Sequence, residues 1–292
     1  MKCPLCDTQN SIKQFDTGNV HGRHVFDAQD HFELYRCAEC GVFFLSNVIV
    51  NDTYYKKYYP KNYYNEAQEL GWIKIPLEWL NRFSFQQKES SILKCLNNKE
   101  NGKLRILDVG CGRGDFLGFL NKDIYETHGI EINPQGYAIC QQKNIHVYNQ
   151  GLKQIHFEDR SFDIITLWHV IEHLQAPKEM LTEIRRILKD TGVLVIATPN
   201  TASLGFKVGQ SRWFHLDSPR HIILYNQNSM KKLLDEFGFN IACAVNSFFD
   251  YPLDLFWSLR ILVWKILALP FYIPLKILSR ETLMFVCTKM RP

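Results

Sequence analysis

Arg105-Ile106-Leu107-Asp108-Val109-Gly110-Cys111-Gly112-Arg113-Gly114-Asp115-Phe116-Leu117 is the stretch that decides the fold. A short apolar run reaches Val109, glycines follow at 110, 112 and 114, and a helical pattern begins at Asp115. The spacing predicts a buried strand that turns directly into a helix. The glycines let backbone approach a ligand closely, and the free N–H groups of the helix start favour an anionic group. The third glycine comes two residues after the second, unlike the GxGxxG of dinucleotide sites. The next apolar run, Thr127 to Ile132, carries Glu131 near its end. A carboxylate there can accept hydrogen bonds from both hydroxyls of a ribose.

Outward from this loop the texture repeats. Phe162 to Trp168 and Gly192 to Thr198 read as strands, and Asp115–Asn121, Pro134–Lys143 and Pro177–Lys189 as helices. Strands alternating with helices predict an α/β protein with a parallel sheet covered on both faces. Ile241 to Phe248 and Leu283 to Lys289 add two strands. Upstream, a helical pattern through Trp72, Trp79, Phe83 and Ile92 follows an aromatic stretch from Tyr54 to Tyr64. It ends in the polar break Asn97 to Gly102.

The chain has 292 residues, 46% hydrophobic and 22% charged, which excludes a disordered chain, a collagen-like chain and a polytopic membrane protein. The net charge of +4 is too weak to argue for nucleic acid. Six basic residues against Asp254 and Glu281 from Tyr251 onward account for all of it. The start, Met1-Lys2-Cys3-Pro4, shows neither an apolar stretch nor a cleavage site, so a cytoplasmic location is expected. Thiols stay reduced there, and paired cysteines suggest metal. Of nine cysteines, Cys3-Pro4-Leu5-Cys6 and Cys37-Ala38-Glu39-Cys40 form two CxxC knuckles that can give four thiolates to one tetrahedral zinc. The site is closed and therefore structural. Short strands Phe32–Tyr35 and Val42–Leu45 complete a zinc ribbon over residues 1–48. Metal removal is expected to unfold that ribbon and leave the sheet.

The glycine loop with Asp108 and Glu131 resembles the class I S-adenosylmethionine-dependent methyltransferases, whose first motif reads LDxGCGxG as Leu107 to Gly114 does here. The resemblance extends over about residues 104–248, through Trp168-His169-Val170-Ile171-Glu172-His173 and Thr198-Pro199-Asn200. The segment His215-Leu216-Asp217-Ser218-Pro219-Arg220-His221 and the cysteine knuckles narrow it to a bacterial subgroup with an N-terminal zinc ribbon. Members frequently accompany polysaccharide, lipopolysaccharide and natural-product biosynthesis. The resemblance implies a Rossmann-like seven-stranded sheet with a zinc ribbon in front and an apolar helical insertion before the last strand. It divides the chain into ribbon 1–48, helical and aromatic linker 49–102 and methyltransferase domain 103–292. It implies that Asp108, Gly110, Cys111, Gly112, Gly114, Glu131, Ile132, Leu152 and Trp168 bind S-adenosyl-L-methionine. Many members carry an Asp after the third strand for the adenine amino group. Here the region reads Asn149-Gln150-Gly151-Leu152, so adenine contacts would be backbone and apolar.

Thr198-Pro199-Asn200 differs from the (N/D)PP(Y/F) motif of base-amino methylases, which argues against a nucleic-acid acceptor. Methyl transfer to oxygen or carbon needs a proton acceptor, and histidine suits that role. The candidates are His221, His169, His173 and His215, each with a structural hydrogen bond as its alternative. A metal reading of His169, Glu172 and His173 is the weakest of these. Arg220 either binds an anionic group of the acceptor or pairs with Asp217. The expected activity is methylation of a glycan, glycolipid or sugar-nucleotide acceptor. The alternatives are a tailoring enzyme for a soluble natural product or quinone, and a ribbon binding protein with a vestigial methylase core. The apolar segment 251–279 is too often interrupted by charge and proline to span a bilayer. It reads equally as a peripheral membrane contact on the inner face or as a lid or homodimer surface.

Overall fold

In the computed structural model residues 1–18, 30–59, 74–96, 102–246, 250–251, 253–259 and 269–290 are described. Tyr63, Tyr64, Trp72 and the tail stretch 260–268 lie outside them. The first strands are β1 (Ser11–Thr17), β2 (Phe32–Cys37) and β3 (Phe43–Leu45). They are followed by α1 (Asp52–Tyr58) and α2 (Lys74–Cys95). The α/β part opens with β4 (Leu104–Val109), α3 (Asp115–Phe119), β5 (Tyr125–Ile130), α4 (Pro134–Gln142) and β6 (His146–Tyr148). It continues with α5 (Leu152–Ile155), β7 (Phe162–Trp168), α6 (Pro177–Ile187) and β8 (Leu188–Pro199). It closes with α7 (Leu204–Gly209), β9 (Ile223–Leu224), α8 (Gln227–Glu236), β10 (Phe239–Asn246), α9 (Asp254–Ser258), α10 (Tyr272–Ser279) and β11 (Thr282–Lys289).

The large sheet has seven strands in the order β10-β11-β8-β7-β4-β5-β6. Only β11 runs against its neighbours. The inner strand β7 reads Phe162-Asp163-Ile164-Ile165-Thr166-Leu167-Trp168 and is buried along all but its last residue, as a strand covered on both faces must be. From β4 the chain steps outward to β5 and β6, then crosses to β7 on the other side. The order reverses at β4, and in open α/β sheets ligands bind outside the strand ends at such a point. The helix expected to reach Lys189 stops at Ile187, because Leu188 and Lys189 already belong to β8. A register irregularity between Phe162 and Ile164 accommodates the polar residues Asp190–Gly192 within that strand.

The ribbon is not a separate body. Its sheet has the order β1-β2-β3-β9, so a strand from beyond residue 220 closes it. Cys3, Cys37, Cys40, Val42 and Phe44 belong to the same apolar cluster as Leu107, Leu167, Ile223 and Tyr225. On the other face Phe32, Leu34 and Leu45 pack with Tyr54, Tyr58 and Trp213.

Several described residues of the tail depart from an apolar-in arrangement. Asp254, Ser258 and Lys276 are buried, while Trp257, Phe271, Ile273 and Leu278 are exposed. Pro274 does not interrupt a helix as the sequence suggested. It sits in the first turn of α10, where a missing N–H costs nothing.

Candidate active site

The glycine loop leaves β4 with Gly110, Gly112 and Gly114 all at positive φ (72°, 58° and 68°). At Gly110 a side chain is excluded twice, by that φ and by Val170 Cγ2, 2.7 Å from where a Cβ would stand. Asp108 is buried and its Oδ1 accepts from Thr166 Oγ1 at 2.7 Å. Burial raises its pKa to about 7, against the pull of that hydroxyl and of Lys88. Glu131 Oε2 accepts from Gly112 N at 2.9 Å and its Oε1 from Asn133 N at 2.7 Å, so the carboxylate braces the loop. Asn149 Nδ2 donates to the carbonyls of Glu131 and Ile132.

One cleft of about 1130 Å³ joins this loop to the four histidines. Asp108, Gly110, Cys111, Gly112, Glu131, Ile132 and Trp168 line one end, and His169, His173, His215 and His221 the other. Gly114 stands behind the loop at the start of α3, and Leu152 is packed in the core. Trp168 Nε1 is buried on the cleft wall with no hydrogen-bond partner among the described residues. A left-handed glycine cradle, buried carboxylates and an orphaned donor on one wall fit a ligand carrying a ribose and a charged amino-acid part.

The four cleft histidines differ in their surroundings. His169 has Nδ1 3.4 Å from Glu172 and Nε2 3.5 Å from Asp250. Burial lowers its pKa, but Asp250 and Glu172 overcome that and raise it to about 9. Burial would raise Glu172, yet His169 first, then His221 and His173, bring it down to about 2. His221 Nδ1 donates to the His215 carbonyl at 2.7 Å. Burial and His173 lower its pKa to about 4. His173 Nδ1 lies 2.9 Å from the Arg220 carbonyl and 3.0 Å from the Tyr59 hydroxyl. His215 Nε2 donates to Asp254 Oδ2 at 2.8 Å, and Asp254 takes Lys276 Nζ at 2.5 and 2.6 Å. Arg220 pairs with Asp217 at 2.6 Å.

Sequence reasoning missed the residues that hold these imidazoles. Asp250 accepts from Ser84 Oγ at 2.7 Å and pairs with Lys88 at 2.9 Å, tying α2 to the cleft. Asp254 and Lys276 come from the apolar tail. The one signal available was an acidic and a basic residue isolated among tail apolars.

The four cysteines stand together as expected. Cys3 and Cys40 Sγ are 3.6 Å apart, and Cys6 and Cys37 Sγ 3.5 Å. A tetrahedron of ~2.3 Å zinc–sulfur bonds has edges of about 3.8 Å, so the set fits zinc with a slight expansion. Cys40 N–H points at Cys37 Sγ at 3.5 Å, and Gly41 at φ 74° closes the knuckle.

A family model described as a methyltransferase domain matches residues 73–244. The chain belongs to this methyltransferase family. An uncharacterized protein of Methanocaldococcus jannaschii is 30% identical over 152 residues, 52% of this chain and 61% of that one. A malonyl-[acyl-carrier protein] O-methyltransferase of a Marinomonas species is 24% identical over 169 residues, 53% of this chain and 61% of that one. The chain thus spans about three-fifths of the length of these two relatives. Among solved structures, a 1,6-didemethyltoxoflavin-N1-methyltransferase of Burkholderia thailandensis was determined with 1,6-didemethyltoxoflavin and S-adenosylhomocysteine bound. It superposes with a TM-score of 0.53 at 12% identity, over 92% of this chain and 99% of that chain. The fold is that of the class I S-adenosylmethionine-dependent methyltransferases, as the sequence resemblance implied.

Proposed function

We propose that the protein transfers the methyl group of S-adenosylmethionine to an oxygen or carbon of a glycan, glycolipid or sugar-nucleotide acceptor. The observation that carries this reading is a continuous cleft running from the glycine loop to four histidines. The cofactor supplies an electrophilic methyl on a sulfonium. Asp108 and the glycine loop hold its amino-acid part, and Glu131 takes the ribose hydroxyls. The backbone near Trp168 meets its amino group. The acceptor enters between the histidines and is aligned on the methyl–sulfur axis, from which much of the rate would come. His215 is the imidazole best arranged as base. Asp254 holds its Nε2–H, which leaves Nδ1 with a lone pair for the acceptor's proton, and Lys276 fixes Asp254. Zinc in the four-cysteine site is structural.

The outward apolar face of the tail supports contact with a membrane surface that carries a lipid-linked acceptor. Trp257 and Leu278 are 57% and 76% exposed there. Methyl-labelled cofactor, purified protein and fractionated cell lysate test the acceptor class. Label in lipid or polysaccharide is expected. Label only in soluble small molecules would establish the tailoring alternative instead.

Glu131→Ala should weaken S-adenosylhomocysteine binding by on the order of 100-fold or more. Two charge-assisted hydrogen bonds to the ribose are lost, each about 1.5–3 kcal/mol. Calorimetric titration reads it, and an unchanged affinity would remove Glu131 from the ribose. The variant also loses the loop brace, so the melting point of the free protein is measured alongside.

A further inference from the structure

Glu172 sits in the short helical turn Ile171–His173 that follows β7, fully buried. Its Oε2 accepts from Thr198 Oγ1 at 3.1 Å. Its Oε1 is buried and makes no hydrogen bond among the described residues, with His169 Nδ1 3.4 Å away. One ligand atom each from Glu172, His173 and His221 lie within 4.8 Å of one another. The two rings are 4.7 Å apart, centre to centre, edge to face. Both rings place Nδ1 on a backbone carbonyl, His173 on Arg220, with the Tyr59 hydroxyl beside it at 3.0 Å, and His221 on His215, with Asp217 Oδ2 3.9 Å from its Nε2. Their donor protons are spent there, and each Nε2 keeps a lone pair.

The cluster therefore holds two imidazole Nε2 lone pairs and a carboxylate oxygen whose one charged neighbour, His169 Nδ1, stands at 3.4 Å, beyond a good hydrogen bond. Buried acceptors left so are costly. A Nδ1–H tied to a carbonyl is also the outer-shell arrangement that orients a metal-binding histidine. His173 and His221 line the cleft, while Glu172 lies beneath them.

We propose that Glu172, His173 and His221 bind one divalent first-row transition cation, of the zinc and iron(II) class, at the acceptor end of the cleft. Two imidazoles and one carboxylate leave coordination positions open, as catalytic sites of this donor set do. The open positions face the cleft and take an oxygen of the acceptor. That last step rests on the acceptor reading given above; cation binding itself does not.

The test uses full-length protein with zinc already in the four-cysteine site, titrated with Co²⁺ in the absence of cofactor and acceptor. One further equivalent should bind, with d–d absorption of a nitrogen–oxygen site and no sulfur-to-cobalt charge transfer. Glu172→Gln should weaken that equivalent at least tenfold. Should that buried variant fail to fold, the half-buried His173→Gln carries the same expectation. No second equivalent at millimolar Co²⁺, or one that persists unchanged in His173→Gln, would overturn the site. A protein that binds the second Co²⁺ yet labels no glycan or lipid overturns the acceptor reading and leaves the cation site standing.

Discussion

Chelating the metal from the four-cysteine site is expected to lower the melting point of the whole molecule by at least about 10 °C and to abolish methyl transfer. Structural zinc contributes an apparent ~10–16 kcal/mol in small zinc-binding units. A domain as a whole has only ~5–15 kcal/mol. Read as sequence, the ribbon looked separable, with its loss confined to residues 1–48. The packing gives another answer. Three of the four cysteines are buried in the cluster that also holds Leu107 and Leu167 of the large sheet. β9 completes the ribbon sheet, Asn226 Nδ2 donates to Gly41 O at 3.1 Å, and Lys232 Nζ to Glu39 O at 2.7 Å. The segment from Trp213 to His221 lies between the two sheets in sequence and carries two of the cleft histidines. Loss of the knuckles therefore exposes apolar surface of the sheet and loosens the acceptor wall. Even half of the smallest zinc contribution, about 5 kcal/mol, corresponds to roughly 10–20 °C for a domain of this size. Thermal melts and labelled transfer, with and without a strong chelator, read both effects. A metal-free protein with an unchanged melt and full activity would refute the structural zinc.

The glycine loop and Glu131 were legible because their parts are local. A loop of alternate glycines after an apolar strand, and a carboxylate at the end of the next strand, each lie within one short window of sequence. The buried strand β7 was read residue for residue, since a run apolar on both faces has few other fates. Of the four edge strands β10 was legible, and the other three were not. β6 has three residues, β9 has two, and β1 reads Ser11-Ile12-Lys13-Gln14-Phe15-Asp16-Thr17, too polar to announce a strand. Their stability comes from neighbours that periodicity does not show. The other end of the cleft was legible only as a set of histidines. What distinguishes them is their partners: Asp250 for His169, Asp254 for His215, and the Arg220 carbonyl for His173. Those pairs join residues up to 81 positions apart, and tertiary packing alone brings them together.

Lys276→Met is expected to destabilise the protein by about 3 kcal/mol, the lower end of the usual cost of removing one partner of a buried ion pair, since His215 still donates to Asp254. Lys276 is only 2% exposed and Asp254 1%, so solvent does little to screen the pair. Burial would raise the pKa of Asp254, but His215 and Lys276 hold it below the ordinary carboxylate value. A depressed carboxylate contributes stability that is present above the unfolded pKa, near ~3.9, and is lost as pH falls through the lower folded value. The gap in stability between wild type and Lys276→Met should therefore be full at neutral pH and shrink below about pH 4. Denaturant melts at several pH values measure it. A gap independent of pH would mean lost packing rather than a lost charge pair. The double variant Lys276→Met, Asp254→Asn should recover part of the stability, because no lone charge remains. It should not recover methyl transfer, because a neutral amide orients His215 less firmly than a carboxylate. The same burial separates two roles of the tail. Lys276 faces the cleft wall and is neutralised by Asp254, so it adds nothing to attraction for anionic lipid. Phe271, Ile273 and Leu278 point the other way. Vesicle binding should therefore survive in Lys276→Met protein kept below its melting point, and fall when Phe271 and Leu278 are replaced by serine. Equal loss in both variants would make the tail one cooperative wall of the cleft with no separate membrane face.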